Sequence, residues 1–104
     1  MMDKLDLLKE QYLVILKEMT RYGSSSNRPQ IRQIKNILEF IDDVKNGEIT
    51  DEVFEELRRM NDSLYPPHGG LGEFYIWADD FDERMKLNEP LDKARDFTWN
   101  TLNA

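Results

Sequence analysis

Apolar residues near the start of the chain recur at alternating intervals of three and four residues, and this spacing constrains the fold more than any other feature. The repeating positions are Leu5, Leu8, Tyr12, Ile15, Met19 and Tyr22. An α-helix turns once in about 3.6 residues, so the spacing forms one apolar stripe and predicts a helix over 3–22. Gly23 ends this helix, and we expect the Gly- and Ser-rich stretch 23–27 to be a flexible connector.

A second helix is predicted to start at Asn27 or Arg28. Pro29 fits its first turn, where the missing N–H costs no hydrogen bond. The apolar positions again follow helical spacing and comprise Ile31, Ile34, Ile37, Leu38, Ile41 and Val44. Asn46 and Gly47 then mark the end of the helix.

A third helix has the clearest start signal. Thr50 is a suitable N-cap, and the carboxylates of Asp51 and Glu52 suit the positive end of the helix dipole. We expect the helix to end within 61–63. The residues expected on its buried face are Val53, Leu57 and Met60.

The segment 64–77 differs from the helices around it. It contains two prolines and three glycines, which exclude a regular helix, so we expect an ordered loop held by its aromatic side chains. Phe74 and Trp77, with Phe81 just beyond, are expected to complete the core, and the alternative is that they form an exposed anchor patch for a partner. Other side chains are expected at the surface, because loops of this composition lie there. These are Tyr65, His68 and Tyr75.

The last part of the chain is predicted to form a short helical turn within 79–87 and then a final helix from Glu89. Asn88 is the expected cap of that helix, and Pro90 falls early in it. Its expected buried side consists of Leu91, Ala94, Phe97, Thr98 and Leu102, with Trp99 nearby. The elements together indicate an all-α fold, a small antiparallel bundle of three to four helices closed by an ordered Pro/Gly/aromatic loop. The chain 1–104 is expected to be a single helical domain.

Composition excludes several classes of function. The chain has no cysteine, which rules out disulfides, thiolate metal sites and a cysteine nucleophile. Its net charge of −7 argues against nucleic-acid binding, which needs a basic surface. The longest apolar run, 12–16, is far shorter than the roughly 20 residues of a membrane span. No apolar signal region follows the first methionine, so we expect a cytoplasmic protein. From the net charge and the short apolar run we expect it to bind neither nucleic acid nor membrane.

The negative charge is concentrated in one part of the chain. Residues 47–88 contain eleven acidic and four basic side chains. Their net charge of −7 equals the net charge of the whole chain. We expect the acidic residues on both sides of the aromatic loop to gather on one side of the bundle and to attract a basic partner. The alternative is that they only stabilise helix starts and maintain solubility. The candidate partner-binding residues are Glu48, Glu52, Glu55, Glu56, Tyr65, His68, Tyr75, Asp79, Asp80, Asp82 and Glu83.

Catalytic and metal-binding patterns are weak in this sequence. His68 is the only histidine and has no nucleophile or second histidine beside it. The acidic run 79–83 lacks the ligand spacing of a calcium loop. The glycines of 69–72 lack the Lys-Ser/Thr that a phosphate-binding loop requires. We therefore expect no catalytic residue, no metal site and no cofactor.

One part of the chain resembles a known class of proteins. The stretch 64–91 includes the runs Tyr-Pro-Pro-His-Gly-Gly-Leu-Gly, Glu-Phe-Tyr-Ile-Trp, Asp-Asp-Phe-Asp-Glu-Arg and Leu-Asn-Glu-Pro-Leu. These are similar to segments of small bacterial immunity proteins that accompany polymorphic or contact-dependent inhibition toxins. The resemblance implies a cytosolic protein that binds a cognate toxin domain, often a nuclease, and blocks its active site. The alternative is a non-catalytic helical scaffold or regulatory subunit that self-associates through an apolar helix face. The sequence leaves the oligomeric state open.

Overall fold

The computed structural model describes residues 3–104, and within them the fold consists of four α-helices and one short 3₁₀ turn, with no strand. The helices are α1 (Lys4–Tyr22), α2 (Arg28–Val44), α3 (Asp51–Asp62) and α4 (Phe81–Leu102). The expected all-α bundle is therefore confirmed. The three predicted helices of the first part of the chain begin and end within a few residues of their expected bounds.

The ends of α1 are fixed by local hydrogen bonds. The Asp3 carboxylate accepts a hydrogen bond from the Asp6 N–H at 2.9 Å and caps the helix start. After Gly23 the chain forms a 3₁₀ turn over Ser25–Asn27. The Ser24 N–H donates to the Asn27 side-chain oxygen at 2.9 Å, as part of a capping box. The connector expected to be flexible is therefore ordered, because its polar side chains satisfy its own backbone.

α1 is the central helix and packs against both α2 and α4. The predicted stripe of α1 is buried except for Tyr22, which lies at the surface at the end of the helix. Within this stripe, the Tyr12 hydroxyl donates a hydrogen bond to the Asn61 side-chain oxygen at 2.8 Å. This bond joins α1 to α3 inside the core. The remaining buried apolar side chains come from every helix and from the loop after α3. They include Ile34, Ile37, Ile41, Leu57, Leu64, Leu71, Phe74, Ile76, Leu91, Ala94 and Leu102.

α3 packs against α2 and α4 and runs in the same direction as α1. At one end the Lys4 ammonium lies 4.9 Å from the ring centroid of Phe54, and further along Tyr12 bonds Asn61. α3 therefore ends near the middle of α1. The loop after α3 therefore runs along the rest of the bundle before α4 begins and runs in the opposite direction.

α4 is one continuous helix, which corrects the prediction of a short turn followed by a helix from Glu89. Asp80 caps its start, because its carboxylate accepts a hydrogen bond from the Glu83 N–H at 2.9 Å. Asn88 is not a cap but a buried residue inside the helix, and Pro90 also lies within it. Asparagine and proline suggested a helix start, yet here they occupy interior positions.

The loop between α3 and α4 runs alongside α4 and antiparallel to it. Tyr65 packs against Trp99, and Ile76 bonds Asn88, eleven residues or roughly 16 Å nearer the start of α4. On the other side Tyr22, at the end of α1, lines a cleft with loop residues up to Tyr75. The first turns of α4 therefore project beyond the end of α1, which accounts for the 47 Å long axis of the molecule.

Candidate functional site

The candidate carboxylates form two separate groups rather than one surface. The α3 group consists of Glu48, Glu52, Glu55 and Glu56, and the α4 group consists of Asp79, Asp80, Asp82 and Glu83. The α3 group lies beside the start of α1, where Lys4 meets Phe54. The α4 group lies at the projecting start of α4, so the two groups occupy opposite ends of the long axis. The two groups are therefore separated along the bundle by the loop of 63–80 and are not gathered into one cluster.

The α3 group is partly compensated by neighbouring cations. Glu56 forms an ion pair with Arg59, one turn further along the helix. This contact raises the pKa of the Arg59 guanidinium through the hydrogen bond and charge of Glu56. Exposed pairs of this kind contribute little to stability. The end of the molecule that carries the α3 group also has an exposed apolar side chain, Ile49.

Large aromatic side chains accompany the α4 group, and we call the segment 75–85 the tip. Trp77 is 66% exposed, Phe81 62% and Met85 58%, whereas Phe74 is buried at 8%. The core prediction is thus confirmed for Phe74 and wrong for Trp77 and Phe81. They are uncovered because the first turns of α4 extend past α1, so no helix lies over them. Tyr75 is exposed, as expected.

The exposed rings of the tip are held in defined positions. The guanidinium carbon of Arg84 lies 4.6 Å from the Trp77 ring centroid and 5.5 Å from that of Phe81. The indole N–H of Trp77 donates to the Asp79 carboxylate at 3.2 Å. Behind the rings, Asn88 accepts from the Ile76 N–H at 2.9 Å and donates to the Ile76 carbonyl at 2.8 Å. The loop segment before α4 is therefore fastened to the helix on its inner side.

Tyr65 and His68 differ in their exposure. Tyr65 was expected at the surface but is half-buried, with its ring edge-on to Trp99 at 5.1 Å between centroids. Burial raises the pKa of the Tyr65 hydroxyl to about 12. His68 is exposed, as expected, in a turn where the Gly69 N–H donates to the Glu73 carboxylate at 2.7 Å. Tyr65 therefore lies beside Trp99, away from the carboxylates of the tip.

The described residues contain no other arrangement that suggests chemistry. No group of three or more His, Asp or Glu side chains in 3–104 is placed to hold a metal ion. None of the four helices is both long and apolar enough to cross a membrane. Comparison with protein-family models, with curated proteins and with solved structures gives no match to this chain.

Sequence reasoning missed one cleft, which lies at the far end of α4 from the tip. It has a volume of about 420 Å³ and is lined by Tyr65, Gly72, Asp92, Arg95, Asp96 and Trp99. Trp99 was expected near the buried side of the last helix, but it is 43% exposed. The available signal was the spacing of Asp92, Asp96 and Trp99, which places all three on one face of a helix.

Proposed function

We propose that this chain is an immunity-type protein that binds a toxin domain through the tip and neutralises it in the cytoplasm. The observation that carries the proposal is the tip itself, where Trp77, Phe81 and Met85 are exposed among four carboxylates. Folding alone gives no reason to place three large apolar side chains together in water. Aromatic residues of this kind supply much of the energy of protein interfaces.

The charge of the tip indicates the chemistry of the partner. The segment 75–85 contains four acidic residues and one basic residue, Arg84, whose guanidinium already lies against the rings. No carboxylate of the α4 group forms an ion pair within the described part of the chain. A basic protein surface is therefore the complementary partner, and its association should be faster at low salt. A nuclease domain, whose cleft binds phosphates, would present such a surface.

The self-associating scaffold is less favoured by the same observation. Two copies that met at their tips would bring two sets of four carboxylates together, and this repulsion opposes an apolar contact. A positively charged partner is attracted by the carboxylates and can also bury the exposed apolar side chains of the tip. Sedimentation of the isolated chain gives the corresponding check, because a dimer that persists at low salt would favour the scaffold instead.

The experiment is a titration of the purified chain against the product of the adjoining gene, combined with an assay of whether the chain rescues growth of cells that express that product. Trp77→Ala should weaken the complex by at least about tenfold, because it truncates a hot-spot side chain. Ile49→Ala is the matched control, since it also removes an exposed apolar side chain, 44% exposed, at the opposite end. It should change the affinity by less than about twofold.

The two possible failures have different meanings. Absence of any complex or rescue with the unaltered chain would refute the immunity function. A complex that Trp77→Ala and Ile49→Ala weaken equally would refute the tip as the contact surface. Both variants replace exposed side chains, so circular dichroism should show unchanged folding.

A further inference from the structure

The outward face of α4 carries exposed side chains well beyond the tip. Five exposed residues fall at intervals of four and three and therefore lie on one side of the helix. They are Met85, Glu89, Asp92, Asp96 and Trp99. From Met85 to Trp99 this face spans fifteen residues, and the rise along the helix is roughly 21 Å. A partner bound at the tip can therefore reach the cleft at the other end without leaving one helix face.

Two clefts follow this face and share part of their lining. The cleft of about 420 Å³ next to Trp99 contains Asp92 and Asp96. A second cleft of about 280 Å³ contains the same two carboxylates and extends to Met85, which belongs to the tip. Lys86, Lys93 and Glu89 complete its lining, and the Lys93 ammonium forms an ion pair with Glu89. The Trp99 cleft is thus continuous with the surface proposed to bind the partner.

The charges in the Trp99 cleft are unequally compensated. The Arg95 guanidinium donates to the carbonyl oxygens of Leu71 and Phe74 at 2.8 and 2.9 Å and forms an ion pair with Asp92. It therefore faces the loop and one carboxylate. Asp96 forms no ion pair within residues 3–104. An anionic ligand would meet two carboxylates there, whereas a cationic one would find an uncompensated charge.

We propose that the Trp99 cleft receives one arginine side chain of the partner protein. This inference rests on the proposed function, which supplies a partner with a basic surface. A guanidinium can stack on the exposed indole of Trp99 while it donates to Asp96, three residues earlier on the same face. The Tyr65 ring, edge-on to the indole, fixes the orientation of Trp99. A lysine ammonium gains less here, because it cannot stack as a plane.

The test uses small probes and no partner protein. Acetyl-arginine amide is titrated into ¹⁵N-labelled protein at constant ionic strength, with acetyl-citrulline amide as its uncharged counterpart. The chain has two tryptophans, Trp77 and Trp99, so their indole N–H signals report on the tip and on the cleft separately. Trp77→Phe identifies the signal of Trp99. We expect the arginine probe, and not the citrulline probe, to shift the Trp99 signal.

Asp96→Asn should weaken the response of Trp99 to the arginine probe by about fivefold. Asp82→Asn is the matched control, because it removes the same charge at the tip and should leave the response unchanged. The proposal is overturned if both probes shift Trp99 equally, if Trp99 does not respond up to about 100 mM probe, or if Asp82→Asn weakens the response as much. These results are independent of whether a toxin complex forms, so the two proposals can fail separately.

Discussion

Asn88→Ala should lower the free energy of unfolding by about 3 kcal/mol, although the residue lies inside a helix where alanine is the best helix former. The Asn88 side chain makes three hydrogen bonds, two to the backbone of Ile76 and one to the Arg84 carbonyl. Ile76 is buried, so truncation leaves its N–H and carbonyl without a partner. Each unsatisfied group costs about 1–3 kcal/mol, and the helix propensity of alanine returns roughly 0.5 kcal/mol.

The assay is urea unfolding followed by circular dichroism, together with hydrogen exchange of the Ile76 amide. Asn100→Ala is the control, since Asn100 is an exposed asparagine of the same helix, and its replacement should change stability by less than about 0.5 kcal/mol. The Ile76 amide should exchange faster in Asn88→Ala than in either the unaltered chain or the control. A loss below about 1 kcal/mol, or equal losses in the two variants, would show that the Asn88–Ile76 hydrogen bonds do not hold the loop on α4.

Two further predictions concern the loop between α3 and α4. Gly70→Ala should cost roughly 2 kcal/mol or more, and Gly69→Ala only about 1 kcal/mol. Both glycines have positive φ, but a Cβ on Gly70 would contact Pro66 and lie 2.8 Å from the Leu64 carbonyl oxygen, whereas one on Gly69 would meet nothing within 4 Å. Equal losses in urea unfolding would contradict this reasoning. The pKa of Tyr65 is raised in the fold to about 12 from 10.0, so the unfolded chain loses this proton first and stability should fall as pH rises from 10 to 12. Tyr65→Phe should make that fall shallower in unfolding curves at pH 9, 10 and 11, and an unchanged slope would refute the assignment.

Local signals were sufficient for the first three helices. The stripe of α1, Pro29 at the start of α2 and the acidic start of α3 each act within one or two turns, so the sequence alone displays them. The same signals misled the prediction of α4. Pro90 normally costs a helix interior about 3 kcal/mol, so it suggested a helix start. Because proline has no N–H, the Lys86 carbonyl loses its helical hydrogen bond to residue 90. Both residues are exposed in the structure, so water can bond that carbonyl.

The placement of the site depended on contacts that a linear pattern does not reveal. Asn88 suggested a cap because its partner, Ile76, lies twelve residues away across the loop. Trp77 and Phe81 suggested core because large aromatic residues are usually buried, and they are uncovered here because the first turns of α4 extend past the end of α1. The two acidic groups follow one another along the chain, but the course of the 63–80 loop separates them in space.

The tip combines exposed apolar rings with several contacts that hold them in place. A helix end that projects past its neighbours has few core contacts and should fray. Here Asp80 caps the helix, Arg84 lies against Trp77 and Phe81, and Asn88 fastens the adjoining loop from behind. Trp77 and Phe81 remain exposed to water despite these contacts. The contacts therefore order the rings without burying them. A surface ordered before association loses less conformational entropy when a partner binds. If the tip binds a partner as we propose, Asn88→Ala, which loosens the tip and removes no exposed side chain, should weaken that complex.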